Sequence, residues 1–271
     1  MTGAGKVAAQ GAERPDQRRR RGAGPGRILA VDLARAAALG GMILFHLVYD
    51  LVLFGLLPPG TVSMPGFWGY WARMVAGSFL FLAGVSLMLA HGGGIRWPAF
   101  GRRLAVIVAA AALVSLGTWA AMPNQFIFFG ILHAIATFSL LGLVFLRLPA
   151  SLTLAVAAAV FVTPWLMAGP LFEARWLVWT GLAGPPPVSM DFEPLFPWFA
   201  PFLAGMALTR LARDRGLADR AAGWPAAPGP VLRGLALVGR HSLAVYLLHQ
   251  PVLLSLVWLI ARAQPARRWR T

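Results

Sequence analysis

The sequence has no cysteine among its 271 residues. That excludes disulfides, thiolate-ligated metals and a cysteine nucleophile together. Lysine is nearly absent, and charged residues make up only 12% of the chain, about half the fraction usual in soluble domains. Charge is costly in hydrocarbon, so this scarcity beside long apolar runs makes the lipid bilayer the expected partner. Acidic residues are scarcer than basic ones, with nine Asp and Glu against 24 Lys and Arg and a formal net charge of +15. Such a charge can signal nucleic acid. Here the basic residues lie between apolar segments rather than on one soluble face, so nucleic acid is excluded as a partner. Basic flanks of that kind orient helices in a membrane. The sequence also lacks an internal repeat, a Gly-rich phosphate loop and a His/Asp cluster at metal-ligand spacing, so no metal is expected.

What is present is hydrophobic: 58% of the chain. A spanning helix needs about 20 apolar residues. Segments 33–57, 72–90, 104–122, 126–145, 152–167, 196–211 and 243–260 are the candidates, the fifth and sixth being short. Together they predict an all-α, polytopic transmembrane bundle of about seven helices. Segment 176–183 is too brief to span, and its tryptophans suit the membrane interface. Residues 1–27 read as a disordered basic cytoplasmic tail, 28–261 as the membrane domain and 262–271 as a basic C-terminal tail. The Arg18 to Arg21 run looks like a signal-peptide start. The apolar segment after it is too long for one and lacks a cleavage site, so a retained anchor is expected. Seventeen Lys and Arg lie in the N-terminal tail and the loops on its side, whereas the alternate loops hold only Arg73 and Arg175. This bias places the N-terminus in the cytoplasm of a multi-pass plasma (inner) membrane protein. The basic C-terminal tail, with Arg262, Arg267, Arg268 and Arg270, runs against it.

Polar residues in the first span form a pattern. At about 100° per residue, Asp32, Arg35, His46, Tyr49 and Asp50 fall within an arc of ~100°. Ionisable groups in a spanning helix usually turn inward and mark a pathway or a site. His46 lies about 20 Å along the helix from Asp32. Asp50 follows His46 at i,i+4, close enough for a carboxylate to orient an imidazole as a general base. Other readings fit the same residues: an Asp32–Arg35 headgroup ion pair, an interhelical hydrogen bond from His46, a solvated helix end at Asp50. Arg35 opposes the helix dipole and needs an anionic partner, Asp32 or a ligand phosphate. The last span repeats the theme with Ser242, Tyr246, His249 and Gln250 on one arc, where hydrogen-bond glue between helices is an alternative to a site. His133 falls near the depth of His46 and reads either as a second site histidine or as a core one. His91 borders a Gly-rich loop and reads as solvated. Asp191 and Glu193 stand at the outer mouth, either to attract an acceptor or to anchor the interface.

Several stretches resemble a known family. Val31, Asp32 and Arg35 followed by Met42, His46, Tyr49 and Asp50 look like the opening of bacterial membrane proteins related to heparan-α-glucosaminide N-acetyltransferase. Phe79 with Gly84 and Ser86, Gly130 with His133, and Pro194, Pro197, Trp198 and Gly205 fit the same pattern. So does the closing set of Gly239, Arg240, Ser242, Tyr246, His249 and Pro251. The resemblance covers about residues 28–259. It implies a transmembrane acyltransferase that moves an acetyl (acyl) group from cytoplasmic acetyl-CoA to an amine or hydroxyl acceptor, a sugar, on the outer side. The family's outer-loop histidine has no counterpart between Pro58 and Tyr70, and the catalytic role passes to His46, aided by Asp50. Arg35, Arg102, Arg103 and Arg240 would take the phosphates of the co-substrate. Asp191, Glu193, His133 and His249 would meet the acceptor. A small transporter or flippase, and a non-catalytic scaffold of the same fold, remain alternatives at this point.

Overall fold

The computed structural model describes residues 28–63, 65–222 and 228–263. The expected tail at 1–27 lies outside the described residues, as does 264–271. Nine helices are described: α1 (Leu29–Leu53), α2 (Phe67–His91), α3 (Trp97–Ala121), α4 (Ile131–Gly142), α5 (Ala150–Met167), α6 (Leu195–Asp214), α7 (Leu217–Ala222), α8 (Pro230–Arg240) and α9 (Ser242–Ala263). Six of them, α1, α2, α3, α5, α6 and α9, are long and apolar enough to cross a membrane. The chain is thus a polytopic helical bundle, and the expected fold class stands.

The helix ends follow local chemistry. α1 starts and stops four residues before the expected 33–57, because Gly55 at φ +70° and the Pro58–Pro59 pair end it early. The fourth segment departs more. Its first residues are extended, and Phe129 forms an isolated parallel bridge with Phe192. The α-helix begins only at Ile131, runs for 12 residues and tightens into a 3₁₀ turn at Leu143–Arg147. Segment 176–183 is a 3₁₀ turn at Val178–Thr180 among bends and does not cross. Arg262, assigned to the C-terminal tail, belongs to α9 and stacks over Trp258, 4.0 Å from its ring centroid.

Lipid tails are as apolar as leucine, so helices in a membrane associate through close packing rather than by escaping water. α6 occupies the centre, with α2 on one side and α5 on the other. The α2–α6 crossing depends on two glycines. A Cβ on Gly84 would overlap the Phe202 carbonyl oxygen, and one on Gly205 would overlap that of Phe81. Leu80, Leu87, Phe138, Phe202, Leu203 and Met206 fill the surrounding core and are fully buried. Leu248, Val252, Leu256 and Leu259 of α9 stay exposed, as a lipid-facing side requires.

α1 packs on α2, α8 and α9. Asp32 near the start of α1 pairs with Arg240 just before α9, and Asp50 near its end pairs with Gln250 of α9. The two helices therefore run parallel, and their starts share one face of the bundle. That arrangement requires an odd number of crossings, so α4 with its 3₁₀ extension, the shorter apolar helix Ile131–Arg147, crosses beside the six long ones.

Candidate active site

At the face where α1 begins, Asp32 is buried, at 3% exposure. Arg240 Nε lies 3.2 Å from it and donates to Oδ2, while Arg35 Nη1 stands 3.8 Å from Oδ1. Arg35 also donates to the Ser86 hydroxyl of α2. One carboxylate thus serves two guanidiniums, which answers the dipole conflict at Arg35. Arg103 lies within electrostatic reach of Arg35, and Arg102 is exposed on α3. The four arginines expected to meet phosphates so share one end of the bundle, where Asp32 balances part of their charge.

Farther along α1, Asp50 is fully buried. It accepts from Gln250 Nε2 at 3.0 Å and 3.4 Å, one distance to each carboxylate oxygen. Among the described residues no hydrogen bond joins Asp50 to His46, so the expected pair is replaced by a tie across to α9. His46 instead faces His249, their ring centroids 5.0 Å apart at 62°. The His249 Nδ1 sits 2.6 Å from the Tyr246 carbonyl oxygen, which only accepts, so Nδ1 carries the proton. That tautomer leaves Nε2 with a lone pair, and this atom is buried without a partner. Gln250 Oε1 is likewise buried and unpartnered. Pro251 supplies no N–H to the Leu247 carbonyl one turn back, which loosens α9 beside His249. Tyr49, placed on the same arc by spacing, turns outward at 37% exposure and stacks on Phe45.

The segment before α6 folds into the bundle instead of lying over it. Glu193 N–H donates to the Phe129 carbonyl, and Met190 N–H to that of Gln125. Asp191 Oδ2 accepts from the Ile131 N–H at 2.8 Å and so caps α4, which explains why that helix starts where it does. Burial pushes the Asp191 carboxyl from 3.8 up to about 6, against the pull of the Ile131 hydrogen bond. Glu193 is raised well above its ordinary range, by burial first and then by the charge of Asp191, with Arg73 of α2 opposing. Its Oε2 is buried and unpartnered. Tyr246 lies within electrostatic reach of both carboxylates. His133 is committed elsewhere: Nδ1 takes the Gly130 N–H at 3.3 Å and Nε2 meets the Ser115 hydroxyl at 3.2 Å.

The structure therefore gathers His46, Asp50, His249, Gln250, Tyr246, Asp191 and Glu193 into one polar region, and ties His133 into the α3–α4 packing. Gln250 and Arg73 gain meaning only here. The sequence signal for Gln250 was its place between His249 and Pro251, and Arg73 gave none beyond its charge. Among the described residues no group of three or more His, Asp or Glu is arranged to hold a metal.

A multi-pass bundle with apposed imidazoles and orphaned acceptors in its interior defines a membrane protein with a polar intramembrane site. A family model described as heparan-alpha-glucosaminide N-acetyltransferase, catalytic, matches residues 27–251. The chain belongs to that family, and so to a class of membrane acetyltransferases. The match takes in α1 with His46 and ends just past His249 and Gln250. No curated protein and no solved structure matches the chain.

Proposed function

We propose that the chain transfers an acetyl group from cytoplasmic acetyl-CoA to an amine or hydroxyl of an acceptor, a sugar, that arrives from the opposite face. The N-terminus is cytoplasmic in this scheme, in the inner membrane of a bacterium. The observation that carries the proposal is the His46–His249 pair with its unpartnered Nε2. A neutral imidazole with one nitrogen fixed by a carbonyl and the other free is suited to accept a proton. The acceptor's nitrogen or oxygen attacks the thioester carbonyl carbon and a C–N or C–O bond forms. The C–S bond breaks, the acceptor's proton passes to the imidazole pair, and the thiolate leaves and recovers that proton. Asp50 holds Gln250, and Glu193 and Gln250 offer acceptor oxygens to the substrate's N–H and O–H groups. Arg35, Arg102, Arg103 and Arg240 keep the cytoplasmic end positive for the phosphates.

Purified protein incubated with labelled acetyl-CoA and amino sugars tests the scheme. His46→Ala and His249→Ala are each expected to lose about 10²- to 10⁴-fold in rate, the usual worth of a general base. Thioester consumption that survives both substitutions excludes the assignment. Flux of a solute with no release of CoA would identify a transporter instead.

A further inference from the structure

The loop between α2 and α3 departs from its expected solvated state. His91 is buried at 4% exposure, and its Nδ1 accepts the Arg96 N–H at 3.3 Å. Gly92, Gly93 and Gly94 follow, and with His91, Leu146 and Arg147 they line a cavity of about 420 Å³. That volume is within the ~300–1,000 Å³ usual for small-molecule sites. Gly92 and Gly94 are needed there. Gly94 has φ +145°, and a Cβ on Gly92 would press on the Arg213 guanidinium and on the Met88 carbonyl. The loop therefore presents bare backbone.

The charges around this cavity have one sign. Arg147 lines it and makes no ion pair or hydrogen bond with the described residues. Arg213 donates to the Met88 carbonyl at 3.3 Å, and its guanidinium lies against Gly92 and Gly93. Arg96 and Arg103 are within electrostatic reach of His91. Arg103 also reaches Arg35, so a line of cations leads from the cavity to the polar face of α1. The nearby acid Asp214 stands 4.0 Å from Arg210 and is mostly solvated. A chain with a low charged fraction has thus placed Arg147 in the wall of an opening formed by the glycine backbone and by Ile95, Leu143, Val144 and Leu146, with further arginines behind that wall.

We propose that this cavity binds an organic phosphate, held by the Arg147 and Arg213 guanidiniums against the backbone of Gly92 to Gly94. Guanidinium forks and exposed peptide N–H groups are the usual partners of phosphate oxygens. Two sources share this chemistry at a bilayer surface: the nucleotide end of acyl-CoA and the headgroup of an anionic lipid. The first would deepen the acetyltransferase scheme above, because the line of cations would then guide the acyl arm toward α1.

The test uses full-length protein in nanodiscs of neutral phosphatidylcholine. Binding of adenosine 3′,5′-bisphosphate is measured on wild type, Arg147→Gln and Gly93→Leu. Arg147 is exposed, and a Cβ on Gly93 meets only the Arg213 guanidinium at 3.7 Å, so both variants should keep the fold, as an unchanged melting temperature would verify. Arg147→Gln is expected to weaken the nucleotide about 10- to 100-fold, the worth of a charge-assisted hydrogen bond, and Gly93→Leu to weaken it about tenfold or more by filling the cavity. If instead the nucleotide does not bind and phosphatidic acid co-purifies with wild type but not with Arg147→Gln, the phosphate is lipid-borne and the proposal stands. Equal affinity of all three proteins for both probes overturns it. Acetyl transfer is assayed separately on wild type: phosphate binding without transfer would sink the acetyltransferase scheme and leave the cavity assignment intact.

Discussion

His249 shows how one hydrogen bond assigns a role to a side chain. Its spacing from Tyr246 is equally that of helix packing. The carbonyl it donates to settles the tautomer, and the free Nε2 is then able to accept a proton. Glu193→Gln keeps the shape and replaces the unpartnered carboxyl oxygen with an amide. It is expected to raise KM for an amine acceptor while leaving KM for acetyl-CoA unchanged, which steady-state kinetics with both substrates varied would check. The acids of the segment before α6 also make stability depend on pH. A folded-state pKa of about 6 for Asp191, against 3.8 in the unfolded chain, means that the native state binds the proton more tightly. The stabilisation is complete below about 3.8 and is lost as pH rises through about 6. The melting temperature should therefore fall between pH 5 and pH 7.5. In Asp191→Asn, which keeps a cap for α4, the fall should be shallower. An equally steep fall in that variant would contradict the assignment.

Helices meet at points that tolerate nothing larger. Gly205→Val puts a branched side chain against the Phe81 backbone at the α2–α6 crossing. Overpacking of this kind typically costs about 1–3 kcal/mol and more where backbone must move. The variant is expected to melt well below wild type or to aggregate on extraction, as size-exclusion chromatography would reveal. The α1–α9 pair is held differently, by polar ties at both ends, Asp32 with Arg240 and Asp50 with Gln250. Asp50→Asn leaves Gln250 a partner, whereas Asp50→Leu strands the Gln250 amide in the interior at about 1–3 kcal/mol. Loss of thermal stability in Asp50→Leu but little in Asp50→Asn would show that the tie is a hydrogen bond rather than a charge.

For the molecule as a whole, the missing cysteines become an experimental advantage. Single cysteines can be placed at Pro59, between α1 and α2, and at Arg215, after α6, both exposed. With the N-terminus in the cytoplasm, an impermeant maleimide added to intact cells should label Pro59→Cys and spare Arg215→Cys until the membrane is opened. The reverse pattern would invert the topology and, with it, the direction proposed for acetyl transfer.

Composition and period alone determined that this is a membrane helical bundle, because hydrocarbon admits few charges and leaves the backbone to satisfy itself within helices. They also singled out the polar arc of α1, since an ionisable group in a span is too costly to keep without a purpose. The partners on that arc were decided by the fold. Asp50 and His46 share a helix face at i,i+4, yet each turns to α9, because α9 runs parallel to α1 and brings Gln250 and His249 to their depth. His91, read as solvated, became part of the wall of a cavity, and Asp191, read as an acid at the outer mouth that attracts an acceptor or anchors the interface, became the cap of α4. Spacing along one helix fixes direction to within a turn. Contact between groups two hundred residues apart is set by how helices pack, through glycines at the α2–α6 crossing and polar ties between α1 and α9.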